Sequence, residues 1–145
     1  MAAFAGTLRD ERGGAALAVT HRGQTVVSAQ GGLADVGRPW TAATPTVIFS
    51  CTKGIAAVAI TMLLDRGSLS SLDEPVARYW PEFGVAGKAD ISIGDALAHR
   101  AGVPGPDRDL TLAEVLDGHT LADDIARRAP LWPPGSGHSY HTLSH

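Results

Sequence analysis

Two side chains in this 145-residue sequence, Ser50 and Lys53, are spaced for covalent catalysis. On a helix, positions three apart share a face, so a hydroxyl and an amine there lie within mutual reach. A serine hydroxyl is a weak nucleophile until a base takes its proton, and a lysine does so only where desolvation or neighbouring positive charge keeps it partly neutral. From Gly54 to Leu64 the only polar side chain is Thr61, which roots Lys53 in apolar surroundings and would supply that desolvation. A serine that opens a helix also stands at the positive end of the helix dipole, which favours an alkoxide or a nearby oxyanion. The pair is short and common, and the alternative for Ser50 is an ordinary N-cap hydroxyl. Tyr140, which follows a Pro-Pro-Gly loop, is a further group able to move protons.

The elements that must position these groups follow from periodicity. Two short apolar runs from Gly14 surround His21-Arg22-Gly23-Gln24, the pattern of a hairpin. A Gly-, Pro- and Thr-rich stretch leads to Val47, Ile48 and Phe49. Apolar residues then recur at Ile55, Val58, Ala59, Met62 and Leu63, with Gly67 placed as a C-terminal cap, so a helix is expected from about Ser50 to Arg66. Ile60 and Leu64 carry the apolar surface round the other side, and a helix apolar all round is expected to be buried. It is too short to cross a bilayer, which takes about 20 such residues. Beyond it, a short helix is expected from Asp73 to Tyr79, stopped by Pro81, and another near Ser92 with Ile93, Ala96 and Leu97 on one face. Two more are expected at Leu112 to Leu116 and Leu121 to Ala129, before Pro130, Pro133, Pro134 and Gly135 break the pattern. Strands, a central helix, then small helices make an α+β chain with a helical subdomain.

Four segments resemble landmarks of one family, in the family's order. Phe49-Ser50-Cys51-Thr52-Lys53-Gly54 resembles the Ser-x-x-Lys motif of class C β-lactamases, DD-peptidases and penicillin-binding-protein-like esterases. Leu72-Asp73-Glu74-Pro75-Val76 is similar to the family's Leu-Asp-x-Pro-Val segment. The run from Ile91 through Leu97-Ala98-His99-Arg100-Ala101-Gly102-Val103-Pro104 resembles its Leu-Leu-x-His-x-Ala/Ser-Gly-Leu segment, and Pro134-Gly135-Ser136-Gly137-His138-Ser139-Tyr140 the approach to its catalytic tyrosine. The resemblance implies a β-lactamase/transpeptidase-like fold and a serine hydrolase acting on esters or β-lactam-like amides through an acyl-enzyme. It assigns the nucleophile to Ser50 and proton transfer to Lys53 and Tyr140. It gives half of the oxyanion hole to the Ser50 backbone N–H. Where many members carry Tyr-x-Asn, this sequence has Tyr140-His141-Thr142, which points towards an esterase. The third family motif, Lys-Thr-Gly or His-x-Gly, does not occur before His145, so residues 1–145 are expected to form one partial domain, truncated at the C-terminus and inactive alone.

Composition narrows the remaining choices. Twelve basic against fifteen acidic residues, without a basic stripe, argue against nucleic acid as a partner. The single Cys51 excludes an internal disulfide and a Cys-x-x-Cys site, and is expected to be a small buried thiol packed in the core. Arg9, Asp10, Glu11 and Arg12 interrupt what a secretion signal would need, so a cytoplasmic location is expected, with no membrane partner. The partner expected is a small-molecule ester or amide, with no cofactor and no metal; the oligomeric state is left open. A rival metal site would need His138, His141 and His145 on one helical face, and His99 reads as a helix-end histidine bonded to nearby backbone. A non-catalytic acyl-binding module remains the alternative from another class.

Overall fold

The apolar runs around His21-Arg22-Gly23-Gln24 pair as antiparallel strands β1 (Gly14–His21) and β2 (Gln24–Asp35), with Gly14 opposite Gly32 and Val19 opposite Val27. Arg22 and Gly23 both have positive φ, at 49° and 77°, the primed turn whose twist matches that of the strands it joins. The register shifts after Val19, so that Thr20 faces Thr25. A two-residue strand β3 (Arg38–Pro39) extends the sheet in the order β1-β2-β3, and a helix α1 (Ala2–Asp10) precedes it. Neither was expected: α1 has no acidic residue in its first turn to announce it, and β3 is too short for an alternation. The computed structural model describes residues 2–10 and 12–141, and the chain divides into two compact units, one ending at Val47 and the other beginning at Ile48.

The second unit opens with helix α2 (Cys51–Asp65), close to the expected bounds. Its C-terminus is a Schellman cap, in which Gly67 donates to Leu64 O at 3.0 Å and Ser68 to Leu63 O at 2.9 Å, with Gly67 in the left-handed conformation (φ 71°) that glycine adopts without steric cost. The expected burial is corrected by the structure. None of the α2 residues is buried, and Ile55 and Val58 are about 60% exposed. Apolar patterning shows that a helix needs a covering surface, but it cannot provide one. Cys51 is likewise exposed rather than packed in a core, because it sits on this uncovered helix.

The core lies further along, where Phe83, Ile91 and Ala101 are buried against Val76, Trp80 and Ile125, with the rings of Trp80 and Phe83 stacked 5.4 Å apart. The helix expected at Asp73 to Tyr79 shrinks to a 3₁₀ turn at Val76–Arg78. The reason is Pro75, extended at φ −62° and ψ 135°, which bridges to Ser92 while Val76 N–H donates to Ile91 O at 2.9 Å. Pro81 starts a second 3₁₀ turn, Pro81–Gly84, instead of merely ending the first; a proline at the first helical position has no N–H to lose. The other small helices form close to expectation: α3 (Ile93–Leu97), α4 (Leu112–Asp117) and α5 (His119–Arg127). Lys88 is wholly buried within this unit. Its ammonium donates to Val85 O at 3.0 Å and to Arg128 O, and lies 5.3 Å from the Phe83 ring centroid. Burial pushes its pKa below the usual lysine value. Among the described residues no helix is long and apolar enough to cross a membrane.

Candidate active site

Ser50 precedes α2 but already has helical backbone angles (φ −65°, ψ −10°), so it extends the face that carries Lys53. The chain enters through three tight turns in which Cys51, Thr52 and Lys53 N–H donate to Ile48, Phe49 and Ser50 carbonyls at 3.0–3.1 Å. Phe49 is held at φ 43°, a left-handed conformation that strains a bulky residue and is often found beside functional groups. The Ser50 side chain makes no capping hydrogen bond. The N-cap alternative for this hydroxyl therefore has no geometric support, and the helix's first turn holds no carboxylate to oppose a developing negative charge.

Tyr140 reaches Lys53 from the far end of the chain. Lys53 Nζ lies 5.3 Å from the centroid of the Tyr140 ring, within the range of a cation–π contact. Lys53 is half-buried and Tyr140 is 54% exposed, and the desolvation expected from a buried α2 is not provided, since no residue of that helix is buried. The segment before Tyr140 is laced, antiparallel, to residues 99–106. Ser139 N–H donates to His99 O at 3.1 Å, Gly135 N–H to Arg100 O at 2.9 Å and Leu131 N–H to Gly102 O at 2.8 Å, while the Arg128 guanidinium bonds the Gly105 and Pro106 carbonyls. Arg100 returns a bond to Gly135 O and pairs with Asp95 at 3.1 Å. Gly102 is required here: a Cβ on it would come within 2.6 Å of Trp132 O, and its φ is 79°. The structure thus joins the third and fourth sequence landmarks, the His-Arg-Ala-Gly run and the Pro-Gly-Ser-Gly-His-Ser-Tyr run, and sets Tyr140 beside the first.

The histidine tail does not assemble. Residues 138–141 are not helical, so the one-face geometry that a metal site needed is absent, and His145 lies outside the described residues. His138 turns its ring towards His99, with centroids 6.1 Å apart, whereas His141 lines a cavity of about 340 Å³ with Pro104, Gly105 and Arg108. Among the described residues no cluster of three or more His, Cys, Asp or Glu could hold a metal ion. The residue that sequence reasoning undervalued is His99, whose ring centroid is 4.7 Å from that of Tyr140 at a 49° tilt. It stands at a helix end, as expected, but a one-dimensional pattern does not tell which rings it will meet.

Solved structures of the β-lactamase-like hydrolase class superpose on nearly the whole chain: a family VIII carboxylesterase (TM-score 0.84, 37% identity) and a penicillin-binding protein homologue from Caulobacter crescentus (TM-score 0.85, 38% identity), each covering 97% of this chain and 38% of theirs. Among curated proteins, the esterase/β-lactamase LipL of Mycobacterium tuberculosis is 40% identical over 98% of this chain and 33% of its own length. The esterase EstB of Burkholderia gladioli is 34% identical over 96% of this chain and 40% of its own. The Beta-lactamase family profile matches residues 2–145, and the chain belongs to that family. It spans between a third and two-fifths of the length of these curated relatives.

Proposed function

We propose that the chain carries the nucleophile end of a serine hydrolase that cleaves small carboxylic esters or β-lactam-like amides through an acyl-enzyme on Ser50. The observation that carries this reading is the convergence of Tyr140 on Lys53, three positions beyond a serine whose hydroxyl caps nothing. In the proposed reaction, Ser50 Oγ attacks the substrate carbonyl carbon and its proton passes to Lys53 Nζ. The oxyanion collapses, the C–O or C–N bond breaks, and the leaving group takes a proton by way of Tyr140. Water then adds to the acyl-enzyme, giving up its proton to the same pair, and the acid departs as the Ser50 hydroxyl is restored. The resemblance places half of the oxyanion hole at the Ser50 N–H, next to Cys51 and Thr52 amides that are already bonded to Ile48 and Phe49.

We also propose that these residues form the N-terminal portion of one hydrolase domain, whose remainder would cover the exposed apolar surface of α2. Joined to the remaining two-thirds of the Mycobacterium tuberculosis relative, the chain should hydrolyse short aryl esters and yield a mass adduct on the Ser50 peptide. An adduct on exposed Cys51, or undiminished turnover in Ser50→Ala, refutes the assignment.

A further inference from the structure

His99 ends α3 in a conformation that its side chain does not favour. Its φ is 57°, His99 N–H donates to Ala96 O at 3.1 Å and Arg100 N–H to Asp95 O at 2.8 Å. These are the same two capping bonds that close α2, where the corresponding left-handed position is filled by Gly67. One helix uses the residue suited to the position and the other uses a histidine, which must bear the steric penalty of a Cβ there. What the histidine gains is contact with Tyr140 on two counts. Its carbonyl accepts from Ser139 N–H at 3.1 Å, fixing the backbone immediately before Tyr140, and its half-buried ring lies 4.7 Å from the tyrosine ring. Lys53 contacts the same ring from α2.

From this we infer that His99 is a positioning residue: its imidazole, held in place by a strained helix cap, fixes the Tyr140 ring beside Lys53. The inference rests on the proposed roles of Ser50, Lys53 and Tyr140 for its functional meaning, but the geometric claim stands apart from them. A merely structural histidine at a left-handed cap would be replaced by glycine with no loss, since glycine suits that backbone better. A positioning histidine could not be.

The test uses two variants of the chain joined, as above, to the remaining two-thirds of the Mycobacterium tuberculosis relative. In His99→Gly the cap is relaxed and the ring removed; in His99→Phe a planar ring is kept. Nuclear Overhauser contacts between the Tyr140 ring and the Lys53 side-chain methylenes report the geometry, and the rate of Ser50 modification by an aryl fluorophosphonate reports reactivity. His99→Gly is expected to melt at or above the wild-type temperature, yet to lose the Tyr140–Lys53 contacts and slow the labelling by about 10-fold, short of the ~10²-fold that a 1 Å misplacement can cost. His99→Phe should restore the contacts. Persistence of those contacts in His99→Gly at wild-type strength overturns the inference. If the contacts vanish in His99→Gly while Ser50 of the wild type takes no label, the positioning role is supported and the hydrolase reading fails. If Ser50 labels equally fast in wild type and His99→Gly with contacts intact, the hydrolase reading survives and the inference does not.

Discussion

Serines stand at the N-termini of both α2 and α3, and only one of them caps. Ser92, extended at ψ 155°, accepts from Asp95 N–H at 3.0 Å and also donates to the Asp95 carboxylate at 3.2 Å. Ser50, with helical angles, caps no amide of its own helix with its side chain. The same residue type in the same place is thus a structural cap in one region and, in the proposed reading, the nucleophile in the other. What separates them is backbone conformation: an extended N-cap aims its oxygen at the first amides, whereas a residue already inside the helical turn directs it outward. Phe49, immediately before Ser50, lies in the left-handed region.

The contrast is sharpest for reactivity. Ser50→Ala should eliminate the acyl adduct and all turnover in the joined hydrolase, whereas Ser92→Ala should leave the adduct in place, as read by intact-protein mass. Tyr140→Phe comes next, with turnover expected to fall about 10²–10⁴-fold while the fold is kept, if the phenol relays the proton; wild-type steady-state rates would remove it from the mechanism. In stability the order reverses. Ser92→Ala should lower the unfolding free energy by about 0.5–2 kcal/mol in urea titrations, the range for a lost cap, and Ser50→Ala should change it by under about 0.5 kcal/mol. A loss at Ser50 as large as that at Ser92 would show a hidden capping role.

The smallest effect concerns acid. At α4 the Thr111–Glu114 capping box and Arg108 hold the Glu114 carboxyl down to about 2. Because its unfolded value is about 4.3, the stabilisation is fully present above that pH and is lost as pH falls through about 2. Solvent exposure keeps the effect small. Amide exchange at Thr111, whose N–H donates to Glu114 at 2.8 Å, should accelerate relative to α2 across that window, since the first turn of α2 has no carboxylate to protonate. Equal behaviour of the two helix ends would count against the box.

Local features were legible in the sequence. The hairpin, α2 with its glycine cap, and the starts of α3, α4 and α5 follow from short-range periodicity and capping chemistry, which are properties of neighbouring residues. What could not be read was burial. The most apolar helix is uncovered, while a lysine, Lys88, is among the most buried residues because two carbonyls and an aromatic ring happen to receive it. Ser50, Lys53 and Tyr140 could be nominated from the four landmarks, but the segment that brings Tyr140 to Lys53 is held by the lacing of residues 99–106 to 128–139, which is a long-range pairing. His99 was seen only as a helix end because its second role exists only across that pairing.

That lacing also sets an order of assembly in time. Ser50 and Lys53 lie within one turn, so their relative placement forms as fast as the helix does. The bonds that deliver Tyr140 join residues 23 and 35 positions apart, and each such closure must first overcome the entropy of the intervening loop. Arg108, paired with both Glu114 and Asp124, shortens that loop once it forms, because it ties the two helices of the excursion together. Contacts of high sequence separation form late, so a refolding chain holds its serine–lysine pair before the Tyr140 ring reaches Lys53. In stopped-flow refolding the far-ultraviolet helix signal should lead, and the Tyr140 ring environment should follow as a slower phase. The approach of Tyr140 to Lys53 is then the last part of the candidate site that such a chain acquires.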